Sequence, residues 1–290
     1  MNALLTPAND VRKFGPLALL GWASSEGESG ATSRRSIRRL LLPLFQRVAE
    51  STSGWHAESV GHWRTADGPY WMPRLVFQRR SEQPSIRLAI FAGIHGDEPA
   101  GVHALCDLVR ALEQSPALAR QYTIHVYPLC NPTGYEDRTR ESRSGRDLNR
   151  EFWRGSLEPE VHLLEREILR EKYDGFISLH SDDTSDGLYG FVGGSTLTEH
   201  LLKPALAAAE QMLPLNQAPI IDGFHAVNGI IHSAYNGILS APPNAAPHPF
   251  EIILESPAAA PLYRQRIALL LAVVEIIRHY RRLIAYAADL

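Results

Sequence analysis

From residue 86 onward the chain alternates short apolar runs with segments of helical periodicity, and this alternation constrains the fold more than any other feature. Ile86 to Ala92 reads Ile-Arg-Leu-Ala-Ile-Phe-Ala, a nearly continuous apolar strand of the kind covered on both faces. Residues 98–113 then place Val102, Leu105, Val109 and Leu112 at helical spacing. The same rhythm predicts strands over 122–129, 173–179, 188–192 and 250–255, and helices over 158–171, 198–213 and 260–287. Strands separated by helices of about 10–15 residues predict an α/β fold, a mostly parallel mixed sheet with helices on both faces.

Upstream the pattern changes. Residues 55–79 read as a hairpin turning at Ala66-Asp67-Gly68-Pro69. Before it, an amphipathic helix capped by Ser36 is expected to break at Pro43. Residues 24–36 are small and polar, as in a loop or linker. No internal repeat is visible, and no boundary follows residue 85. The expected organisation is an N-terminal extension with a helix over 1–54 and one catalytic domain over 55–290.

Composition narrows the partners. Lysine and arginine number 29 against 32 acidic residues, a net charge of −3, so no global positive field recruits nucleic acid or an anionic membrane. No stretch approaches the ~18 uninterrupted apolar residues of a membrane span. The run from Pro16 to Ala23, behind Arg12 and Lys13, is short for the apolar core of a secretory signal. Two cysteines, Cys106 and Cys130, make no disulfide framework. These features favour a soluble, cytoplasmic protein.

Sheets of this class carry their sites at the carboxyl ends of strands. The first central strand ends in Gly93-Ile94-His95-Gly96-Asp97-Glu98, the third in Leu179-His180-Ser181-Asp182 and the last in Leu254-Glu255-Ser256-Pro257. His95 and Glu98, three apart on a tight turn, can converge on one divalent ion, and His180 from a neighbouring strand end supplies a third ligand. Two histidines and a glutamate with an open fourth position make a catalytic zinc arrangement. The spacing alone is weak, since His162 and Glu165 repeat it inside a predicted helix, where a surface pair suffices. His103, His125, His225 and His248 have no partners at metal spacing.

Taken together, these segments resemble the zinc carboxypeptidase superfamily, whose members include the succinylglutamate desuccinylases, aspartoacylases and murein peptide amidases. Gly93 to Glu98 is similar to its first metal motif, Asn131-Pro132-Thr133-Gly134 to its NP-x-G turn, and Asp147-Leu148-Asn149-Arg150 to its substrate-binding D-x-N-R segment. His180 and Glu255 stand on the corresponding strand ends, in family order across residues 86–256. The resemblance implies Zn2+ held by His95, Glu98 and His180, and Glu255 as general base. It further implies Arg140 at the developing oxyanion, Asn149 and Arg150 on a substrate carboxylate, and Asp147 orienting His95. Tyr235 is the candidate for a substrate-contacting tyrosine, although its surroundings match that motif poorly.

Alternatives stay open on the residues alone. Glu251, four strand positions before Glu255 and on the same face, competes as the base. The run Arg138, Arg140, Arg143, Arg146, Arg150 competes with a solvated basic loop, above all at Arg143 and Arg146. The leading reading is a metallopeptidase-type hydrolase cutting an amide beside a free carboxylate in a small peptide. An N-acyl amino acid deacylase, and a binding module without activity, compete with it. The 35 residues after Glu255 read as one helix rather than the β-rich domain of the deacylase branch, which favours the peptidase branch.

Overall fold

The computed structural model describes residues 34–79 and 86–288, so the apolar run at 16–23 and most of the polar stretch at 24–36 lie outside it. Its centre is β3 (Ile86–Ala92), hydrogen-bonded in parallel to β4 (Tyr122–Tyr127) on one side and β5 (Gly175–Asp182) on the other. β10 (Phe250–Pro257) continues the parallel block beyond β5. Outside this block the hairpin strands β1 (Trp55–Thr65) and β2 (Gly68–Gln78) add antiparallel to β4. At the other edge β6 (Tyr189–Val192) runs antiparallel to β10. It is followed by three short strands, β7 (Ile220–Ile221), β8 (Phe224–Val227) and β9 (Ile230–Ile231). The ten strands stand in the order β1-β2-β4-β3-β5-β10-β6-β9-β8-β7. The expected mixed α/β sheet is what the chain forms: its parallel pairings make up the centre and recur where β9 runs parallel to β6, and the antiparallel ones lie toward the edges. Strands joined by short turns must pair antiparallel, because a parallel return needs a crossover of a dozen or more residues.

The two faces are packed differently. Phe91 stacks on Tyr127 with ring centroids 4.8 Å apart and on Phe176 at 5.9 Å, and α4 (Pro159–Glu171) packs against β1. On the opposite face α2 (Pro99–Gln114) lies close to the sheet at Gly101, where an added Cβ would stand 2.8 Å from the Leu179 Cβ. α2 packs on α6 (Leu262–Ala288), which also covers the helical run α5, built of Ser195–Leu197, Thr198–Leu202 and Lys203–Ala209. Among the described residues no helix is long and apolar enough to cross a membrane.

α1 (Ile37–Ala49) is capped as expected, Ser36 Oγ accepting the Arg39 N–H at 3.2 Å, but it continues through Pro43. An interior proline costs a helix ~3 kcal/mol or more. Ile37, Leu41, Leu44, Phe45 and Val48 are buried on one face of this helix, each contributing ~1.5–3 kcal/mol, which outweighs that penalty. Phe45 meets the edge of Trp71 at 5.3 Å, fixing the helix on the hairpin.

Candidate metal centre and its cleft

The turn after β3 folds back because residue 93 has φ +64, a left-handed conformation that suits glycine. Gly96 presses flat on α3 (Pro132–Asp137), where a Cβ would stand 1.9 Å from the Gly134 carbonyl carbon. Asn131 ties the two segments: its N–H donates to Gly93 O at 2.7 Å, its Nδ2 to Ile94 O at 3.2 Å, and its Oδ1 caps α3 by accepting from Gly134 N. The segment read as an NP-x-G turn is thus the support of the metal motif.

That support brings three buried side chains together. Donor atoms of His95, Glu98 and His180 all lie within 4.8 Å of one another. His95 Nδ1 stands 2.6 Å from Glu98 Oε1, and His180 Nδ1 stands 3.0 Å from Glu98 Oε2. Glu98 Oε2 also accepts the Ser181 N–H at 3.1 Å, which locks its carboxylate to the end of β5. Burial alone would raise the Glu98 carboxyl, yet the two imidazoles outweigh it and hold it down at about 2. Two imidazole nitrogens and a carboxylate oxygen facing one point are the donor set of a borderline-soft divalent ion, so the residues fit zinc.

Around this cluster the other candidates take distinct positions. Asp147 is the acceptor hub: His95 Nε2 lies 3.3 Å from its Oδ1, the Asn149 N–H 2.9 Å from the same oxygen, and Arg140 Nε 3.0 Å from its Oδ2. Arg140 Nη1 reaches within 3.6 Å of Glu98 Oε1. Glu255 pairs in register with His180 across β10 and β5, with its side chain on the same sheet face. Ser181 and Ser256 hydroxyls, 3.0 Å apart and both bound by Gln265 of α6, hold those two strand ends together. Burial first, then the charges of Glu98, Asp182 and Asp222, push the Glu255 carboxyl well above the usual carboxylate range.

Glu251 takes a different place. Its Oε1 accepts the Ala241 N–H at 2.6 Å, and it faces a separate, smaller cavity.

His95, Glu98, His180 and Glu255 face an open cleft of ≈ 390 Å³ whose wall also holds Arg140, Asn149, Arg150 and Tyr235. Asn149 Oδ1 accepts the Leu239 N–H at 2.8 Å, which orients the amide of a residue that lines the cleft. The Arg150 guanidinium lies over the Tyr235 ring, 4.5 Å from its centroid, and Tyr235 Oη donates to Asp222 O at 2.8 Å.

Three features escaped the sequence reading. Asp182 and Asp222 line the cleft, with Tyr189 Oη donating to Asp182 Oδ2 at 2.8 Å. Strand periodicity from His180 points to Asp182, and the Asp222-Gly223 turn signal to Asp222. Arg143, grouped with the solvated basic loop, is instead largely covered. It bonds Asp137, Glu136, Asp67 and the Tyr70 hydroxyl, pinning the arginine-rich loop to the hairpin. Glu165 likewise accepts the Trp153 N–H at 2.5 Å rather than serving a surface pair with His162.

Residues 84–218 match the family model of the succinylglutamate desuccinylase/aspartoacylase catalytic domain. No curated protein sequence matches the chain. Among solved structures, a Shewanella denitrificans protein described as a metallopeptidase superposes with a TM-score of 0.68 at 22% identity, over 83% of this chain and 88% of its own. A metallo-carboxypeptidase from Burkholderia cenocepacia gives 0.65 at 19% identity, covering 86% of this chain and 70% of its own. A Pseudomonas aeruginosa metallo-carboxypeptidase, in complex with (2-guanidinoethylmercapto)succinic acid, gives 0.60 at 17%, covering 84% and 69%.

Proposed function

We propose that this chain, whose fold is that of the zinc carboxypeptidase superfamily, is a zinc-dependent hydrolase that cleaves an amide bond next to a free carboxylate in a small peptide. The observation that carries the reading is the pairing of His180 with Glu255 at adjacent strand ends, beside His95 and Glu98 and facing one cleft. A binding module would not need a buried carboxylate in register with a metal-ligand set. His95, Glu98 and His180 are the residues that would hold the ion. When bound, zinc supplies Lewis acidity and lowers the pKa of its water toward ~7.

The chain's own groups do the rest. Glu255 takes the proton from the attacking water on its carboxylate and delivers it to the leaving nitrogen. Its repulsion from Glu98 falls once the Glu98 carboxylate is neutralised by a cation, which shifts Glu255 toward the ionised form that a general base requires. Arg140, held by Asp147, offers a fixed positive charge to the developing oxyanion. Asn149 Nδ2 and the Arg150 guanidinium grip the substrate carboxylate, and the Tyr235 ring keeps Arg150 extended over the cleft. The dicarboxylic ligand of the Pseudomonas aeruginosa neighbour supports a carboxylate-binding cleft of this kind.

The match of residues 84–218 to the deacylase catalytic domain is the ground for one second reading, an N-acyl amino acid deacylase sharing the same metal and carboxylate anchor. Turnover assays on unblocked tripeptides, their C-terminal amides and N-acyl amino acids decide. Arg150→Ala should mainly raise KM for peptides, by ~30- to 150-fold, the worth of a charge-assisted bidentate contact of ~2–3 kcal/mol. Amidation should cost wild type a similar factor and add little in the variant, because both changes delete one interaction. Cleavage of N-acyl amino acids with free peptides ignored would establish the deacylase instead. Full wild-type activity on amidated peptides would remove the carboxylate anchor.

A further inference from the structure

The segment just before α1 reaches the metal turn. Arg35 Nη1 donates to the Gly96 carbonyl at 2.8 Å, and Gly96 lies between the two ligands of that turn, His95 and Glu98. The same guanidinium sits 5.2 Å from the centroid of the Tyr135 ring in α3, and the Arg35 N–H donates to Glu136 O at 2.9 Å. Arg35 is half-buried there. The preceding residue makes a different contact: Arg34 Nε pairs with Asp137 Oδ1 at 3.1 Å and does not reach the turn.

We propose that Arg35 is a positioning residue of the metal site, holding the Gly96 carbonyl and thereby the angle at which the turn presents His95 and Glu98. The inference rests on the metal-site reading of His95, Glu98 and His180. Its physical basis is the way the turn is fastened. On the α3 side, the Gly93 and Ile94 carbonyls are held by Asn131, before His95. Glu98 is held beyond, through Ser181. Between those points the Gly96 carbonyl faces Arg35, and the tight seat of Gly96 on the Gly134–Tyr135 peptide leaves the turn one direction of escape, away from α3. A guanidinium that bonds Gly96 and also stacks on Tyr135 closes that direction. A ligand pair that rocks on its turn binds a metal more weakly, because the ion must then impose an order the fold lacks. The N-terminal segment thus takes part in the site without touching substrate.

The test is zinc affinity, read by competition with a chromophoric chelator, on full-length wild type, Arg35→Ala, Arg35→Lys and Arg34→Ala. Metal-free stability of each is measured by urea unfolding. Arg35→Ala should bind zinc about tenfold or more weakly while its metal-free unfolding midpoint stays close to that of Arg34→Ala. Arg35→Lys, which can bond Gly96 but not stack flat on Tyr135, should fall between wild type and Arg35→Ala, and Arg34→Ala should bind as wild type does. If Arg35→Ala does not fold, Arg35→Lys decides, with hydrogen exchange across 93–98 in the metal-free protein expected to rise. Zinc affinity of Arg35→Ala within about twofold of wild type overturns the proposal, as does equal weakening in Arg34→Ala. Should Arg35→Ala not fold, wild-type affinity and exchange in Arg35→Lys overturn it. Failure of wild type itself to bind zinc overturns the underlying metal-site reading instead.

Discussion

Asp147→Asn is nearly isosteric, yet the geometry leaves it no satisfactory arrangement. A carboxylate can only accept, so when a metal ion takes the place of the proton between Nδ1 and Glu98, the contact at 3.3 Å keeps the remaining His95 proton on Nε2. The second carboxylate oxygen accepts Arg140 Nε at 3.0 Å. An asparagine that keeps its oxygen toward Arg140 turns its NH2 to His95 Nε2, moving the imidazole proton to Nδ1, where it blocks coordination. An asparagine flipped the other way confronts the arginine N–H with its own donor. Either outcome disturbs an orienting partner of a ligand, a change expected to weaken metal binding by ~10- to 100-fold, or ~1.4–2.7 kcal/mol. Because bound metal stabilises only the folded state, the rise in Tm caused by saturating zinc should shrink by the same free energy, ~3–10 °C for a domain of this size. Chelator competition at neutral pH measures the affinity, and thermal unfolding with and without zinc measures the linkage. Wild-type affinity together with an undiminished zinc-induced Tm shift would refute the orienting role of Asp147.

Two further outcomes follow from the buried carboxylates. Glu255→Gln should retain zinc and lose kcat by orders of magnitude, whereas Glu251→Gln, whose wild-type carboxylate is taken up by Ala241 N–H, should keep kcat; steady-state kinetics that show the reverse would move the base. Glu160, only 2% exposed in the first turn of α4, is pushed up to about 8 by burial from its ordinary 4.5, so the folded state holds its proton where the unfolded chain has released it. The stabilisation is complete below the unfolded value and lost as pH rises through about 8; Glu160→Gln should therefore gain on wild type by ~1.4 kcal/mol per pH unit across that window, about 3 kcal/mol at pH 7, and a pH-independent difference in urea unfolding would refute it.

How much of this was legible depends on the range of each interaction. His95 and Glu98 share one turn, and His180 and Glu255 end strands that apolar runs mark plainly, so periodicity and position sufficed to place them. Asn149 and Arg150 were visible through a motif rather than through physics. Arg143 was misjudged because a run of arginines says nothing about what lies opposite; its partners Tyr70 and Asp67 come from a hairpin more than 70 residues away. The passage of α1 through Pro43 escaped for a related reason. Local propensity argues for a break, and the burial that overrides it is tertiary. The short strands β7 to β9 carry too few residues to show any alternation.

The site divides by the kind of element that holds each part. His180 and Glu255 are level with each other because parallel strands bring their carboxyl ends to one edge, and the serine pair and Gln265 keep that edge closed. The proposed carboxylate grip is loop-borne: Asn149 is set by Leu239 N–H, and the Arg150 carbonyl lies where a Cβ on Gly237 would come within 2.5 Å, so the two loops are seated on each other. Gly237 has φ +78 as well, which makes a side chain there doubly unfavourable. Strands resist displacement more than loops do, so a change at Gly237 or Leu239 reaches the substrate grip before it reaches the ion. On the proposed function, metal affinity and substrate preference are therefore separable, the first expected to depend on the strand ends and the turn assigned to Arg35, the second on the contact between the 149–150 and 235–239 loops.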